Sequence, residues 1–233
     1  MKKLLRKIIP APIKKKIRLL IKFFKYNYRK HALQNALKTQ GDLKIIVGAA
    51  ETFQPGWYST NEQWLDITKD SDWDAMFKGK PCLTHVVAEH VFEHLTYEEA
   101  GRALANIRRY LKDGGRVRIA VPDGYNPDPV YLKHVGINGI GDDAADHKQL
   151  LNVDTLSALL RDAGFKPAHI EGYAASGEGL VQNIYSAQDG FIMRSRSNTD
   201  EEKMKKWSFP DAETSLIVDG IKTAQEDNVK KAA

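Results

Sequence analysis

The chain has 233 residues, 42% of them hydrophobic and 28% charged, which is enough for one well-filled core and too short for two ordinary domains. Its single cysteine, Cys82, excludes an internal disulfide framework and fits a reducing compartment. The formal charge of +5 hides an asymmetry, because residues 1–41 carry 13 Lys and Arg and no Asp or Glu, leaving 22 basic against 30 acidic residues in the rest. An acidic body repels a phosphate backbone, so nucleic acid is not an expected partner.

At the start of the chain, Leu4, Leu5, Ile8 and Ile9 alternate with Lys2, Lys3, Arg6 and Lys7 at near-helical spacing. Pro10 and Pro12 interrupt that turn, since proline lacks an amide donor and restricts the residue before it. From there Ile13, Ile17, Leu20, Ile21 and Phe24 recur at spacings of three or four and share one helix face. Lys15, Lys16, Arg18, Lys22 and Lys25 occupy most of the rest. No stretch approaches the roughly 18 uncharged apolar residues of a spanning helix. Lysines interrupt the apolar run and no small-residue cleavage site follows, so a secretory signal is not expected either. Two readings stand: a basic amphipathic helix on an anionic membrane surface through residues 1–30, or a helix packed on its own domain with a solvated basic side. The first is the expectation, and it puts the protein in the cytoplasm, peripheral at the inner face of the membrane.

Residues 42–225 read as one domain, and residues 226–233 as a disordered tail. Leu43–Val47 (LKIIV) is a short apolar run suited to a buried parallel strand, ending at Gly48-Ala49-Ala50. Residues 56–60 (GWYST), 64–68 (WLDIT) and 83–88 (LTHVVA) read as the next three strands. Thr96 and Glu99 make a capping-box pattern ahead of a helix whose inner face is Ala100, Ala103, Leu104, Ile107 and Leu111. Gly114-Gly115 stops it, and residues 116–121 (RVRIAV) form a fifth strand. A second helix starts near Asn152 or Asp154 and ends at Gly164. Residues 166–173 and 215–222 supply the last two strands. Residues 123–150 are rich in Gly, Asp and Pro and lack periodicity, as lids and binding loops do.

The run AEHVFEHLTYEEAGRALANIRRYLKDGGRVRIAVPDG, residues 88–124, resembles the fourth strand, Glu-His turn, helix, Gly-Gly turn and fifth strand of class I methyltransferases associated with sugar and cell-surface glycan pathways. PGWYST, LDIT and the later AGF at residues 163–165 extend the resemblance over about residues 43–222. It implies a Rossmann-like α/β fold with a mostly parallel seven-stranded sheet, preceded here by the basic amphipathic helix. It implies S-adenosyl-L-methionine as cofactor and O-methylation of a sugar in a surface glycan or its lipid-linked precursor. The alternative is a catalytically degenerate scaffold that docks a glycan-assembly enzyme at the membrane.

By position, the resemblance implies that Gly48, Ala49 and Ala50 let the backbone approach the methionine end of the cofactor. Asn61 stands where the family's acidic residue holds the ribose hydroxyls, Asp66 faces the adenine amino group, and Glu89 and His90 face the sulfonium. Two departures are visible: VGAAET lacks the repeated glycines, and Asn61 replaces a carboxylate, exchanging charge-assisted hydrogen bonds for neutral ones. His147, in the lid-like segment, is the leading general base for a sugar hydroxyl, with His90 second. Asp123 orients an acceptor hydroxyl or caps the turn at Gly124. His90-Val91-Phe92-Glu93-His94 spells H-x-x-E-H, but it sits at a strand end rather than within a helix, so a zinc peptidase is not expected. Asp142, Asp143 and Asp146 could gather a cation with His147, yet acidic loop residues are more often solvated, and no metal is expected.

Overall fold

A computed structural model describes residues 10–50, 52–141, 144–198 and 215–224. The first nine residues of the basic arm, Asp142, Asp143 and the expected tail lie outside the described residues. Helix α1 (Ala11–Thr39) has Pro10 at its N-cap position and Pro12 in its first turn, so the second apolar run starts at the two prolines; the turn expected before them lies outside the described residues. In its second half Leu33 and Ala36 enter the core of the domain. In its first half Leu19, Leu20, Ile21, Phe23 and Phe24 are all more than half exposed. No helix among the described residues is long and apolar enough to cross a membrane.

Seven strands form one sheet: β1 (Leu43–Val47), β2 (Tyr58–Ser59), β3 (Leu83–Glu89), β4 (Leu111–Pro122), β5 (Lys166–Ala175), β6 (Glu178–Gln182) and β7 (Ser215–Ile221), in the order β2-β1-β3-β4-β7-β5-β6. β2, β1, β3 and β4 are parallel. β7 enters antiparallel between β4 and β5 and β6 returns antiparallel on the edge, while β5 runs the same way as β4, so the sheet is mixed, mostly parallel in its core and not purely parallel. Helices α2 (Asp70–Phe77), α3 (Tyr97–Tyr110), α4 (Pro129–Val135) and α5 (Val153–Asp162) complete the described helices. α3 starts on the expected capping box, with Thr96 accepting from the Glu99 amide and Glu99 accepting from the Thr96 amide. Asn152 and Thr155 do the same for α5. The lid-like segment is partly ordered, since α4 lies within it and Tyr131 is buried.

One expected strand does not form. Residues 64–68 have strand-like alternation, but the Asp66 carboxylate accepts from the amide and hydroxyl of Thr68, which closes a local turn. Leu65 and Ile67 still enter the core, and the Ile67 carbonyl accepts from the Trp73 indole and the Asn106 side chain instead of from a neighbouring strand. The carbonyl is satisfied without a ladder.

The two faces of the sheet are covered differently. On one, α3 and α5 bury Leu104, Ile107, Leu156 and Leu160, while Trp73 stacks on Tyr110 with ring centroids 5.5 Å apart. On the other, Ile46, Val87, Ala120 and Ile217 pack against Trp57 and Ile192. The irregular segment 185–198 lies over them. Two carboxylates tie it down, Glu89 accepting from the Met193 and Arg194 amides and Glu171 from the Arg196 amide and Ser195 hydroxyl.

Candidate functional site

The chain leaves β1 for β2 on one side and returns through α2 to β3 on the other. The C-terminal ends of β1 and β3 therefore flank a point where the strand order reverses, and doubly wound sheets bind ligands in that crevice. A cavity of about 480 Å³ opens there, within the range of small-molecule sites. Gly48, Glu62, Asp66, His90, His94 and Lys148 are among its lining residues.

Gly48 ends β1 with φ +58, and a Cβ there would lie 2.6 Å from Cγ2 of Val91. A side chain is thus excluded both by the left-handed backbone and by contact. Val91 occupies the space over the glycine, which the sequence alone did not reveal. Asp66 lines the cavity, although its carboxylate already serves Thr68 and pairs with Lys69 at 2.9 Å. Burial alone would raise its pKa, but the hydrogen bonds from Lys69 and Thr68 outweigh that and hold it below the ordinary value. Glu62 is exposed at the cavity wall, one residue beyond Asn61.

His90 is held at φ +55 with both ring nitrogens engaged, Nδ1 2.9 Å from Glu93 Oε1 and Nε2 3.1 Å from Ser215 Oγ. Glu93 is buried beneath it. Burial opposes its ionisation, but the His90 charge and hydrogen bond, with a smaller contribution from His94, draw its pKa below the ordinary value.

The other residues named from sequence lie off this wall. Ala49 is buried in the core on the far face of the sheet. Ala50, at φ +41, offers its carbonyl to Arg29 of α1 at 2.7 Å, and Arg29 also reaches the Thr52 carbonyl. Asn61 is buried, with Oδ1 accepting from the Gln63 amide and Nδ2 without a partner. Glu89 points to the opposite face, where it holds the 193–194 amides. Strand alternation explains this, since Val87, two residues earlier, packs on that same face. Asp123 is fully buried and joins β4 to β5 by accepting from the Tyr125 and Tyr173 amides. Burial raises its pKa despite those bonds. His147 is buried, with Nδ1 donating to the Val135 carbonyl at 2.7 Å and its ring edge-on to His94 at 4.8 Å between centroids.

No family model matches the chain, and no curated protein matches it. Solved structures do. An S-adenosylmethionine-dependent methyltransferase from Archaeoglobus fulgidus is 15% identical, over 85% of this chain and 97% of that one, with a TM-score of 0.43. An S-adenosylmethionine-dependent methyltransferase from Mesorhizobium loti is 13% identical, over 80% and 95%, with a TM-score of 0.43. An O-methyltransferase family protein from Burkholderia thailandensis is 10% identical, over 86% of this chain and 57% of that one, with a TM-score of 0.47.

Proposed function

We propose that the cavity at the ends of β1 and β3 binds S-adenosylmethionine and that the protein is a methyltransferase. The observation that carries the reading is the cavity itself, placed where the strand order reverses and walled by the obligatory glycine Gly48 together with the carboxylates of Glu62 and Asp66. The donor set fits the ligand. A sulfonium and an amino group favour an acidic rim, and ribose hydroxyls favour a carboxylate acceptor, which Glu62 and Asp66 supply. When bound, the cofactor supplies an electrophilic methyl group. What the chain has to do is orient it: Glu62 as ribose acceptor, Leu65 and Ile67 with Thr68 around the base, and His90 at the methionine end, fixed by Glu93 and Ser215.

The expected result of a calorimetric titration is one S-adenosylhomocysteine per chain. Silence in that titration, from a protein shown to be folded, sinks the enzyme reading. A second reading, a non-catalytic scaffold that docks a glycan-assembly enzyme, is favoured by Val91 lying over Gly48. The same titration separates the two.

The acceptor we propose is a hydroxyl of a sugar in a surface glycan or its lipid-linked precursor, met at an anionic membrane surface. Support for the surface comes from α1. In its first half the apolar residues from Leu19 round to Ile21 span about 200° of the helix at ~100° per residue, interrupted by Lys16, and Lys14, Lys15, Arg18, Lys22 and Lys25 fill the remainder. Those apolar side chains are exposed, so they are free to enter an interface. Full-length protein is expected to co-sediment with phosphatidylglycerol vesicles and to be released by salt, since each basic residue near the surface contributes roughly 1 kcal/mol. The triple variant Ile17→Ser, Leu20→Ser, Phe24→Ser changes only exposed positions and should stay in the supernatant. Equal sedimentation of both proteins rejects the membrane role.

A further inference from the structure

Two histidines and a carboxylate meet at the edge of the cavity. Among the described residues, Glu93, His94 and His147 each bring one ligand atom to within 4.8 Å of the others. Glu93 and His94 belong to the short turn after β3, whereas His147 comes from the far end of the lid-like segment, directly after the turn Ala144–Asp146. Three features make this more than a gathering of polar residues.

The first is an orphan. Glu93 is 1% exposed, and one of its oxygens is held by His90 while the other, Oε2, has no hydrogen-bond partner. A buried carboxylate oxygen left without a partner is costly, and such an orphan in a native interior points to an unfilled contact. The second is the state of His147. Its Nδ1 faces a carbonyl, which can only accept, so Nδ1 carries the proton and Nε2 presents its lone pair. A metal-bound histidine is fixed in this way by a backbone carbonyl on its other nitrogen, and His90 fixes the Glu93 carboxylate in the same sense. The third is His94, whose Nδ1 is buried without a hydrogen-bond partner although Asp146 Oδ1 lies 3.0 Å away. His94 and Asp146 both line the cavity, so the cluster has an open side.

We infer that Glu93, His94 and His147 form a binding site for a divalent transition-metal ion of the zinc class, with its open coordination position toward the cavity. Two imidazoles and one carboxylate are a donor set for such an ion rather than for magnesium or calcium, which prefer all-oxygen cages. Ligands at about 2.1 Å from one tetrahedral ion lie about 3.4 Å apart, so binding draws the most widely separated of the three ligand atoms together by roughly an ångström. The carboxylate of Asp146 stands ready as a fourth ligand beside His94. The ion answers a question of the site: His147 is buried and is not among the residues lining the cavity, and so is poorly placed to take a proton from an acceptor there itself. A cation at the cavity edge polarises an acceptor oxygen instead. That last step rests on the proposed methyltransferase reading, whereas ion binding does not.

The test uses full-length protein, free of any histidine tag and stripped with a chelator. Zn²⁺ is titrated in competition with a chromogenic chelator, and Co²⁺ is followed by its visible absorption. The expected result is one ion per chain and a Co²⁺ spectrum of low coordination number. His94→Gln changes a partly exposed side chain and Glu93→Gln keeps the buried shape, and each should abolish stoichiometric binding. His90→Asn, which removes only the group that positions Glu93, should weaken binding roughly 10–100-fold. His31→Gln, on exposed α1, should leave it unchanged. Circular dichroism establishes that each variant is folded, and the Co²⁺ spectrum of the unaltered protein stands even where one is not. No stoichiometric binding by the unaltered protein overturns the inference, as does binding that survives His94→Gln in a folded chain. Retained S-adenosylhomocysteine binding alongside such a failure removes the ion and leaves the methyltransferase reading in place.

Discussion

Asp219→Ala is expected to lower the free energy of unfolding by about 3–5 kcal/mol, the usual result of stranding a buried charge. Arg118 of β4 and Asp219 of β7 face each other across the antiparallel pair, with 1% and 2% of their side chains exposed. The contact is bidentate, Nε to Oδ1 at 2.7 Å and Nη2 to Oδ2 at 2.8 Å. The remaining guanidinium nitrogen donates to the Gly190 carbonyl at 2.6 Å, and the group lies 4.3 Å from the ring centroid of Tyr185. Without Asp219 the arginine keeps its charge, because guanidinium does not deprotonate in proteins, and it has no counter-ion within the sheet core. Such a loss is a large share of the 5–15 kcal/mol or so that holds a typical domain together. The double variant Arg118→Met, Asp219→Leu should recover most of it, since apolar replacement of a buried pair is often neutral. Urea denaturation of the three proteins decides the matter. A single-variant loss under about 1 kcal/mol, the range of exposed pairs, rejects this account.

Glu62→Ala is expected to weaken S-adenosylhomocysteine binding by about 10- to 150-fold, the worth of one hydrogen bond to a charged acceptor. Its fold should be untouched, because the side chain is exposed. Asn61→Ala acts differently: it removes the acceptor for the Gln63 amide and is expected to cost stability in the turn more than affinity. Calorimetry on both variants, with thermal unfolding beside it, separates the two roles. Unchanged affinity in Glu62→Ala moves the ribose contact away from the end of β2.

These expectations show where sequence reasoning was sufficient and where it ran out. Local rules located β1, the capping box at Thr96 and Glu99, and the start of α5 at Asn152, because each rests on neighbours within a few residues. The expected strand at 64–68 failed because side-chain donors, Trp73 six residues on and the distant Asn106, claim the Ile67 carbonyl. Alternation along β3 could have sent Glu89 to the far face, had its neighbour Val87 been weighed as core of that face. Glu62 was legible as an acid adjacent to Asn61, but not its place on the cavity wall. The meeting of Glu93 and His94 with His147 was beyond reach, since 53 positions separate His94 from His147 and only the folded lid-like segment closes that distance.

The anchoring of α1 has a mechanical consequence. The helix runs unbroken through 29 residues, about 43 Å at ~1.5 Å per residue, from its bare first half into the half seated through Leu33 and Ala36. Along the way Arg29 grips the carbonyls of Ala50 and Thr52, in the loop that leaves Gly48. With no hinge between them, the rod and the mouth of the cavity turn as one piece. Whatever the exposed half of α1 rests on, the helix acts as a spacer of set length, and it determines which way the cavity looks.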